Sequence, residues 1–515
     1  MTSSTTTPSL HSPSHPWALP VGVVALLGLF IGFQPLPFDP DLWFHLAGGR
    51  YMLSEGCVPQ SDPFSFTRMG QLWVPHSWLF DVTAYALWTG IGPRATEAVT
   101  AAAFAVTLLM SLAILSQAGA KPITATAICV ALAIGAANTR GIRPQVLSLL
   151  SCNLVILLCV AHARRPSRRI MYASAVIFVV WAQLHAACVM GVAVLAIWCI
   201  GRLLDAASHH AVSARKTELV QLVAATMVAA AVILITPHRM SHYGYALMTM
   251  RLNCLKLTGE WQMPRALSLD VPDVYLYMLL IGVVVGLARG RHRPGWAPLM
   301  LFIAIMLLAF SGVRHIPLAC IAAVPLFADV LRNRPSTPDM QARLSVLGPV
   351  GDVFRSASFR RRLVVTAGLC LVVTWRYPSS INDRYAAAEP VVGGRALAAL
   401  ERPLNVFTTY NTGSYILWSA PNRLKVMVDS RADVYGDAII HEVLDAQSGR
   451  NWQAVFDKRR IAAAVLENHD RLTAILASDP RWMTLARDAG STTFIRAASP
   501  GALASRPAAR TTRTD

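Results

Sequence analysis

The sequence is short of charge. Only 14% of its 515 residues are Asp, Glu, Lys or Arg, while 54% are apolar, and ordinary soluble domains carry about 25% charged residues. That shortage excludes a disordered chain, a coiled coil and an ordinary cytosolic enzyme, and it leaves a polytopic membrane protein. Acidic residues are the scarcer kind: 28 against 46 basic ones, a net charge of +18. No glycine-rich phosphate loop of the GxGxxG type and no Walker sequence is present. No Cys/His spacing fits a zinc site, and no internal repeat is visible. Of the nine cysteines, only Cys57 and Cys254 fall in outer loops. A disulfide between them is conceivable, but spacing alone does not establish it.

What is present is a series of long apolar runs bounded by charge. A helix needs roughly 20 residues to cross the hydrocarbon, and runs of suitable length occupy 17–38, 93–116, 122–138, 144–162, 169–184, 186–204, 218–236, 273–288, 296–312, 315–331 and 362–377. Eleven spans are therefore expected. The first is too long for a signal-peptide core, and its leader, residues 1–16, is rich in Ser, Thr and Pro without Lys or Arg. It reads as a retained helix preceded by a disordered cytoplasmic segment. The apolar stretch 78–92 is short and reads as an interfacial helix. With the N-terminus inside, the inner loops hold most of the loop Lys and Arg, as around Arg164 to Arg169, Arg289 to Arg293 and Arg332 to Arg362. The positive-inside rule then accounts for much of the excess charge and removes the case for nucleic acid as a partner. The expected location is the cytoplasmic (inner) membrane, multi-pass. The large outer segments are 39–92, 236–272 and everything after 377, so the working face is expected outside.

Beyond the last span the composition changes. Residues 405–410, 415–420 and 424–430 read as strands, 432–448 and 452–459 as helices, 461–467 as a buried strand, 471–477 as a helix, and 483–488 with 491–497 as a closing hairpin around Ala489 and Gly490. This alternation predicts a small extracytoplasmic α/β domain over 378–497, large enough for its own core. Residues 498–515, rich in Ala, Arg, Thr and Pro, read as a disordered tail. Tyr410, Asn411, Tyr415, Asp429, Arg431, Asp433 and Tyr435 gather at the predicted strand ends, where α/β sheets bind ligands.

The sharpest chemical cluster opens the first outer loop: Asp39-Pro40-Asp41-Leu42-Trp43-Phe44-His45. Ionised carboxylates at a membrane face must be paired or solvated, so this cluster implies a wet hollow there. Asp41 or Asp39 could take a proton from an acceptor hydroxyl or hold a divalent cation such as Mg²⁺ or Mn²⁺. Alternatively, Asp41 could cap a helix over 42–54. Asp62 and His76 lie further along the same loop as candidate substrate contacts, with His45. Arg143, Arg239 and Arg314 stand at outer helix ends, against the charge bias. Arginine there could grip a lipid-linked phosphate with its bidentate fork, or its stem could snorkel along the interface. Glu260, beside Trp261, could join a metal site with Asp41 or contact substrate, and His315 adjoins Arg314. His185, between two spans, reads as a helix-packing hydrogen bonder.

The run DPDLWFHLAGGRYMLSEGCVPQSDPFSF, followed by LWVPHSWLF, resembles the first outer loop of bacterial multi-span proteins of the GT-C glycosyltransferase superfamily. DPDLWFH is also similar to the acidic-aromatic stretch of oligosaccharyltransferase catalytic subunits, although the Trp-Trp-Asp of those subunits is missing. The resemblance implies an α-helical polytopic membrane fold with a C-terminal extracytoplasmic domain. It further implies transfer of a sugar from a polyprenyl-phosphate-linked donor to a glycan, lipid or protein acceptor at the outer face, with the catalytic acidic position at Asp41 or Asp39. A lipid-linked glycan flippase or a non-catalytic envelope-assembly component is the alternative. Clean apolar spans with charges confined to their ends favour chemistry at a face over passage through the middle.

Overall fold

The computed structural model describes residues 15–34, 39–265, 268–290, 293–332, 348–357, 359–361, 364–365, 368, 388–400, 402–420 and 423–497. Their contacts divide into two units that interleave along the chain. The first takes the described residues of Met1–Pro37, Gly48–Gln60 and Val74–Arg384, and the second those of Phe38–Ala47, Ser61–Trp73 and Tyr385–Asp515.

The first unit is helical. Its apolar helices are α1 (Ala18–Gly32), α4 (Pro93–Gln117), α5 (Pro122–Gly135), α6 (Pro144–Arg164), α7 (Arg169–Leu184), α8 (Cys188–Ser208), α9 (Lys216–Val232), α11 (Val271–Arg289), α12 (Trp296–Ser311) and α13 (Ile316–Val330). They match the first ten expected spans in order. Six stretches are long and apolar enough to cross a bilayer, and α1, α5, α7 and α12 are shorter. The eleventh expected span, 362–377, lies almost wholly outside the described residues. The 78–92 stretch forms α3 (Trp78–Gly90), α10 (Ser241–Thr249) lies in the second outer segment, and α14 is Gly348–Arg355. Proline opens α4, α5, α6, α11 and α13, where its missing N–H costs nothing.

Small residues bring these helices together. A Cβ on Gly28 would lie 2.6 Å from the Cα of Ala105, and one on Gly32 would lie 2.5 Å from the Cα of Ala101. A Gly-x-x-x-Gly face of α1 thus meets an Ala-x-x-x-Ala face of α4 at backbone contact, the close approach that association in lipid relies on. Gly201 of α8 meets Ala297 of α12 in the same way. Cys57 is exposed and Cys254 buried, and neither is in a disulfide. The disulfide considered for them is not formed.

The second unit is a five-stranded sheet in the order β2-β1-β3-β5-β4, built from β1 (Leu404–Thr408), β2 (Leu424–Val426), β3 (Ala463–Glu467), β4 (Trp482–Arg487) and β5 (Ser491–Arg496). Strands β2, β1 and β3 are parallel, while β5 runs antiparallel to β3 and β4. Its helices are α15 (Val391–Ala398), α16 (Gly413–Ser419), α17 (Ala432–Gln447), α18 (Trp452–Lys458) and α19 (Arg471–Ser478). The expected strand at 415–420 is instead α16. A hydrogen-bonded turn between Thr409 and Thr412 ends β1. Gly413 then passes so close to β2's extension that a Cβ would meet the Val428 carbonyl at 2.0 Å. The core joins Leu397, Leu404, Val406, Ile416, Val426 and Val465.

Two pieces of the first outer loop belong to this unit. One is the start of α2 (Pro40–Glu55), which begins two residues earlier than the 42–54 helix expected from sequence, with Pro40 as its first residue and Asp41 in its first turn. The other is 61–73, folded back on itself by Asp62 N–H to the Gln71 carbonyl at 2.9 Å and Gly70 N–H to the Asp62 carbonyl at 3.1 Å. It lies beside β2 through a Ser65–Val426 bridge and through Thr67 Oγ1 donating to the Met427 carbonyl at 2.6 Å. The free edge of β2 is thereby covered.

Candidate functional site

In the α/β unit, the parallel strands point their C-terminal ends at one edge, and the polar residues gather there. Asp429 and Arg431 follow β2, Asp433 and Tyr435 ride the first turn of α17, and Asn411 follows β1. Arg431 is 3% exposed. Its Nη1 lies 3.0 Å from Asp62 Oδ1, and its Nη2 and Nε donate to Asp429 at 2.6 and 2.9 Å. Tyr435 Oη donates to Asp429 Oδ2 at 2.7 Å. The guanidinium also lies over the rings of Trp73 (4.6 Å) and Phe64 (5.1 Å), a cation–π contact that strengthens away from water. Burial alone would raise the Asp62 carboxyl, but Arg431 and the hydrogen bonds from Ser65 and Phe64 hold it below its usual range. Burial likewise opposes the Arg431 charge, and Asp429 and Asp62 more than restore it. Asp62, expected as a substrate contact, is thus the anchor that ties the first loop to the sheet.

Beside this network stands Asp433, half-buried. Burial pushes its carboxyl up to about 6; Arg431 pulls against the rise, and the charges of Asp429 and Asp41 add to it. Asp41 is half-buried and Asp39 is 5% exposed. The helix that carries them is seated by Trp43, whose ring meets Tyr415 edge-on at 4.9 Å and Trp418 at 6.2 Å. His45 is 2% exposed, its ring against Phe44 at 4.0 Å. A residue the sequence reading passed over, Glu389, is 2% exposed with both carboxyl oxygens enclosed and without a full hydrogen bond. Burial drives its carboxyl up to about 8, the nearby Trp43 indole lowers it somewhat, and Asp39 and Glu467 raise it further. It is a neutral acid at pH 7. A lone Glu in an Ala-rich stretch gave no signal of this.

In the membrane unit, Glu260 collects two arginines. Arg143 Nη1 lies 3.1 Å from one of its oxygens and Arg314 Nη1 3.4 Å from the other. Arg314 also covers the Trp261 ring at 4.0 Å, and His315 meets that ring edge-on at 6.1 Å. Burial would raise the Glu260 carboxyl, but Arg314 and Arg143 keep it low. The trio carries a net charge of +1. His76 faces His185 at 5.3 Å and Tyr245 at 4.4 Å, and His185 shares a 2.9 Å hydrogen bond with Ser148 Oγ. Arg239 is exposed, with φ of 47°.

These residues fit a divalent metal poorly. Both Glu260 oxygens already accept from guanidinium groups, whose charges would repel a cation. Glu467, His469 and Asp470 place ligand atoms within 4.8 Å of one another. There, however, Asp470 accepts the Glu467 N–H at 3.0 Å and Gln447 Nε2 at 3.2 Å, while Glu467 accepts from Asn411 at 2.6 Å. That is the bonding of a turn and a helix start.

Neither a protein-family model nor a curated protein sequence matches the chain. Solved structures do. The apo oligosaccharyltransferase of Archaeoglobus fulgidus superposes with a TM-score of 0.52 at 11% identity, over 88% of this chain and 70% of that one. The same enzyme tethered to an acceptor peptide containing the NVT sequon gives 0.52 at 12% identity, over 88% and 69%. ArnT from Cupriavidus metallidurans bound to undecaprenyl phosphate gives 0.50 at 13% identity, over 95% and 99%. At such identities the likeness is one of fold: this polytopic membrane protein shares its fold with that oligosaccharyltransferase and with ArnT.

Proposed function

We propose that this protein is a membrane glycosyltransferase that moves a sugar from a polyprenyl-phosphate-linked donor to a lipid, glycan or protein acceptor at the outer face of the cytoplasmic membrane. The observation that carries the reading is the place of Asp41, in the first turn of α2, near enough to Asp433 for its charge to add to the rise that burial causes in the Asp433 carboxyl, to about 6. A carboxyl raised toward neutral pH suits general acid–base chemistry. The undecaprenyl phosphate held by ArnT supports the donor class.

In this reading the acceptor hydroxyl oxygen attacks C1 of the donor sugar, and the bond from C1 to the phosphate oxygen breaks. The lipid phosphate leaves with the electron pair, and the hydroxyl proton passes to Asp41. The carboxylate also favours the positive charge that develops at C1 in the transition state. Asp39, more deeply buried, is the alternative acceptor of that proton. In the membrane unit, Arg143 and Arg314, preset by Glu260, retain one net positive charge, and with Arg239 they are its candidates for binding phosphate. Arginine suits phosphate oxygens through its fixed fork.

The test is a labelled polyprenyl-phosphate sugar supplied to membranes carrying the protein. Covalent transfer of label that is lost in Asp41→Asn supports the reading. Movement of the intact donor between leaflets without transfer, or full activity in both Asp41→Asn and Asp39→Asn, rejects it.

A further inference from the structure

The helix ends remote from Glu260 form a second polar site. Helix α6 starts beside Arg143 and finishes at Arg164, 21 residues later, a rise of roughly 30 Å. Helix α13 likewise begins next to His315 and leads to Arg332. At these far ends the membrane unit holds an open cavity of about 1860 Å³. Seven arginines line it against two aspartates, Asp205 and Asp329.

Two of those arginines are neutralised. Arg202 binds Glu218 at 2.6 Å and Asp205 at 3.4 Å, and Arg332 pairs with Asp329. The aspartates are occupied further: Asp205 Oδ1 accepts the Trp296 N–H at 2.7 Å, and Asp329 Oδ2 accepts the Gly295 N–H at 3.0 Å. Among the described residues, no carboxylate pairs with Arg164, Arg169, Arg215 or Arg293. The cavity therefore keeps a strong positive charge.

Topology alone places arginines on cytosolic loops, but two details go beyond it. The charges line one open cavity instead of being spread over a loop surface. Trp198, 4% exposed, lines that volume with its indole N–H lacking a hydrogen-bond partner, and a buried indole N–H usually has one. An Nη of Arg215 is enclosed in the same unsatisfied way. A ligand with several anionic oxygens offers acceptors for donors of this kind. Apolar residues such as Ala161, Ala297 and Pro298 complete the lining and suit the glycerol and first methylenes of a lipid.

We infer that this cavity binds a phosphate ester: the headgroup of an anionic phospholipid or a soluble phosphate compound. Basic pockets between membrane helices bind anionic headgroups in this manner. The inference is independent of the proposed transfer reaction, because it uses none of the residues assigned to it.

The experiment uses the full chain, purified in a zwitterionic detergent. Native mass spectrometry compares retention of phosphatidylglycerol with phosphatidylcholine of identical acyl chains, and glycerol phosphate is tested separately as a competitor. Retention of phosphatidylglycerol that resists glycerol phosphate identifies a lipid headgroup. Retention abolished by millimolar glycerol phosphate identifies a soluble phosphate site. Either supports the inference if Arg169→Gln/Arg293→Gln, both exposed positions, weakens binding by roughly tenfold or more, and if Trp198→Phe, which keeps the packing but removes the N–H, weakens it severalfold. Equal retention of the two lipids with no effect of glycerol phosphate, or binding unchanged in both variants, overturns it.

Discussion

The two units handle charge in opposite ways. The membrane unit keeps its ion pairs at helix ends, with Arg143, Glu260 and Arg314 at one end and Arg202, Glu218 and Asp205 at the other. Between them lie apolar side chains and backbone-close glycines. The α/β unit buries charge at its centre: Arg431, Asp62 and Asp429 are all at most 3% exposed, and they join segments far apart in sequence. Lipid cannot solvate a stray charge, so the membrane unit draws its cohesion from small-residue packing. A sheet with its own core can enclose a paired ionic network, and such a network fixes which segments meet.

Asp41 tests that contrast most severely, because sequence places it at the exit of an apolar helix while its contacts assign it to the α/β unit. Asp41→Asn is expected to lower sugar transfer about 10²- to 10⁴-fold, as measured with labelled donor in membranes, with little loss of folded protein. The pH profile sharpens the point. The Asp433 carboxyl, raised to about 6, takes up a proton as pH drops through that value, and the transfer rate should change there. Asp433→Asn should remove that inflection. A profile unchanged by the substitution would remove Asp433 from the site.

Arg431→Met comes next. It leaves Asp62 and Asp429 buried without their cation, and breaking a buried pair from one side is worth about 3–5 kcal/mol. Segment 61–73 should then exchange its amide hydrogens much faster, while α4 and α6 of the membrane unit keep their protection. Uniformly faster exchange in both units would mean that the network stabilises more than its own unit.

Glu389→Gln probes the same unit through pH. The carboxyl is raised from 4.5 to about 8 in the folded protein. The unfolded chain therefore ionises first, and stability declines from about pH 4.5 until the folded pKa is reached. Gln cannot ionise. The variant should match the parent near pH 4.5, then gain on it by a few kcal/mol at most up to pH 8, with no further gain above. Thermal unfolding across that range reads the difference. A variant that loses stability equally at every pH would show that the acid is needed for its shape alone.

Much of this was legible in the sequence. Apolar runs bounded by charge located ten helices, because crossing a bilayer demands length and composition that few other structures require. The strands β1, β3, β4 and β5 followed from short apolar runs between turn residues. Residues 415–420 misled because Tyr-Ile-Leu-Trp is equally at home in a buried helix turn; the Thr409–Thr412 turn that decides the matter is a local hydrogen-bond pattern, invisible to periodicity. The partition of the first loop was also hidden. Asp62 and Arg431 are 369 positions apart, and each was singled out for its own chemistry with nothing to show that they pair. Glu260 drew notice as a metal ligand, but its two arginine partners come from different helices, and only the fold brings them to it.

The membrane unit has its own, smaller test at the α1–α4 contact. A Cβ on Gly32 would sit 2.5 Å from the Ala101 Cα, a backbone atom that cannot rotate aside. Gly32→Ile must therefore push the helices apart, and overpacking of this kind is worth about 1–3 kcal/mol. In lipid no hydrophobic gain offsets the separation, since the new side chain is as well solvated by acyl chains as by α4. The expected result is a lower unfolding temperature in detergent, with unaltered amide protection in 61–73 and in the sheet. Arg431→Met should do the reverse, loosening the α/β unit while leaving α1 and α4 intact. If the two substitutions loosened the same segments, the division of labour between small-residue packing and buried charge would be wrong.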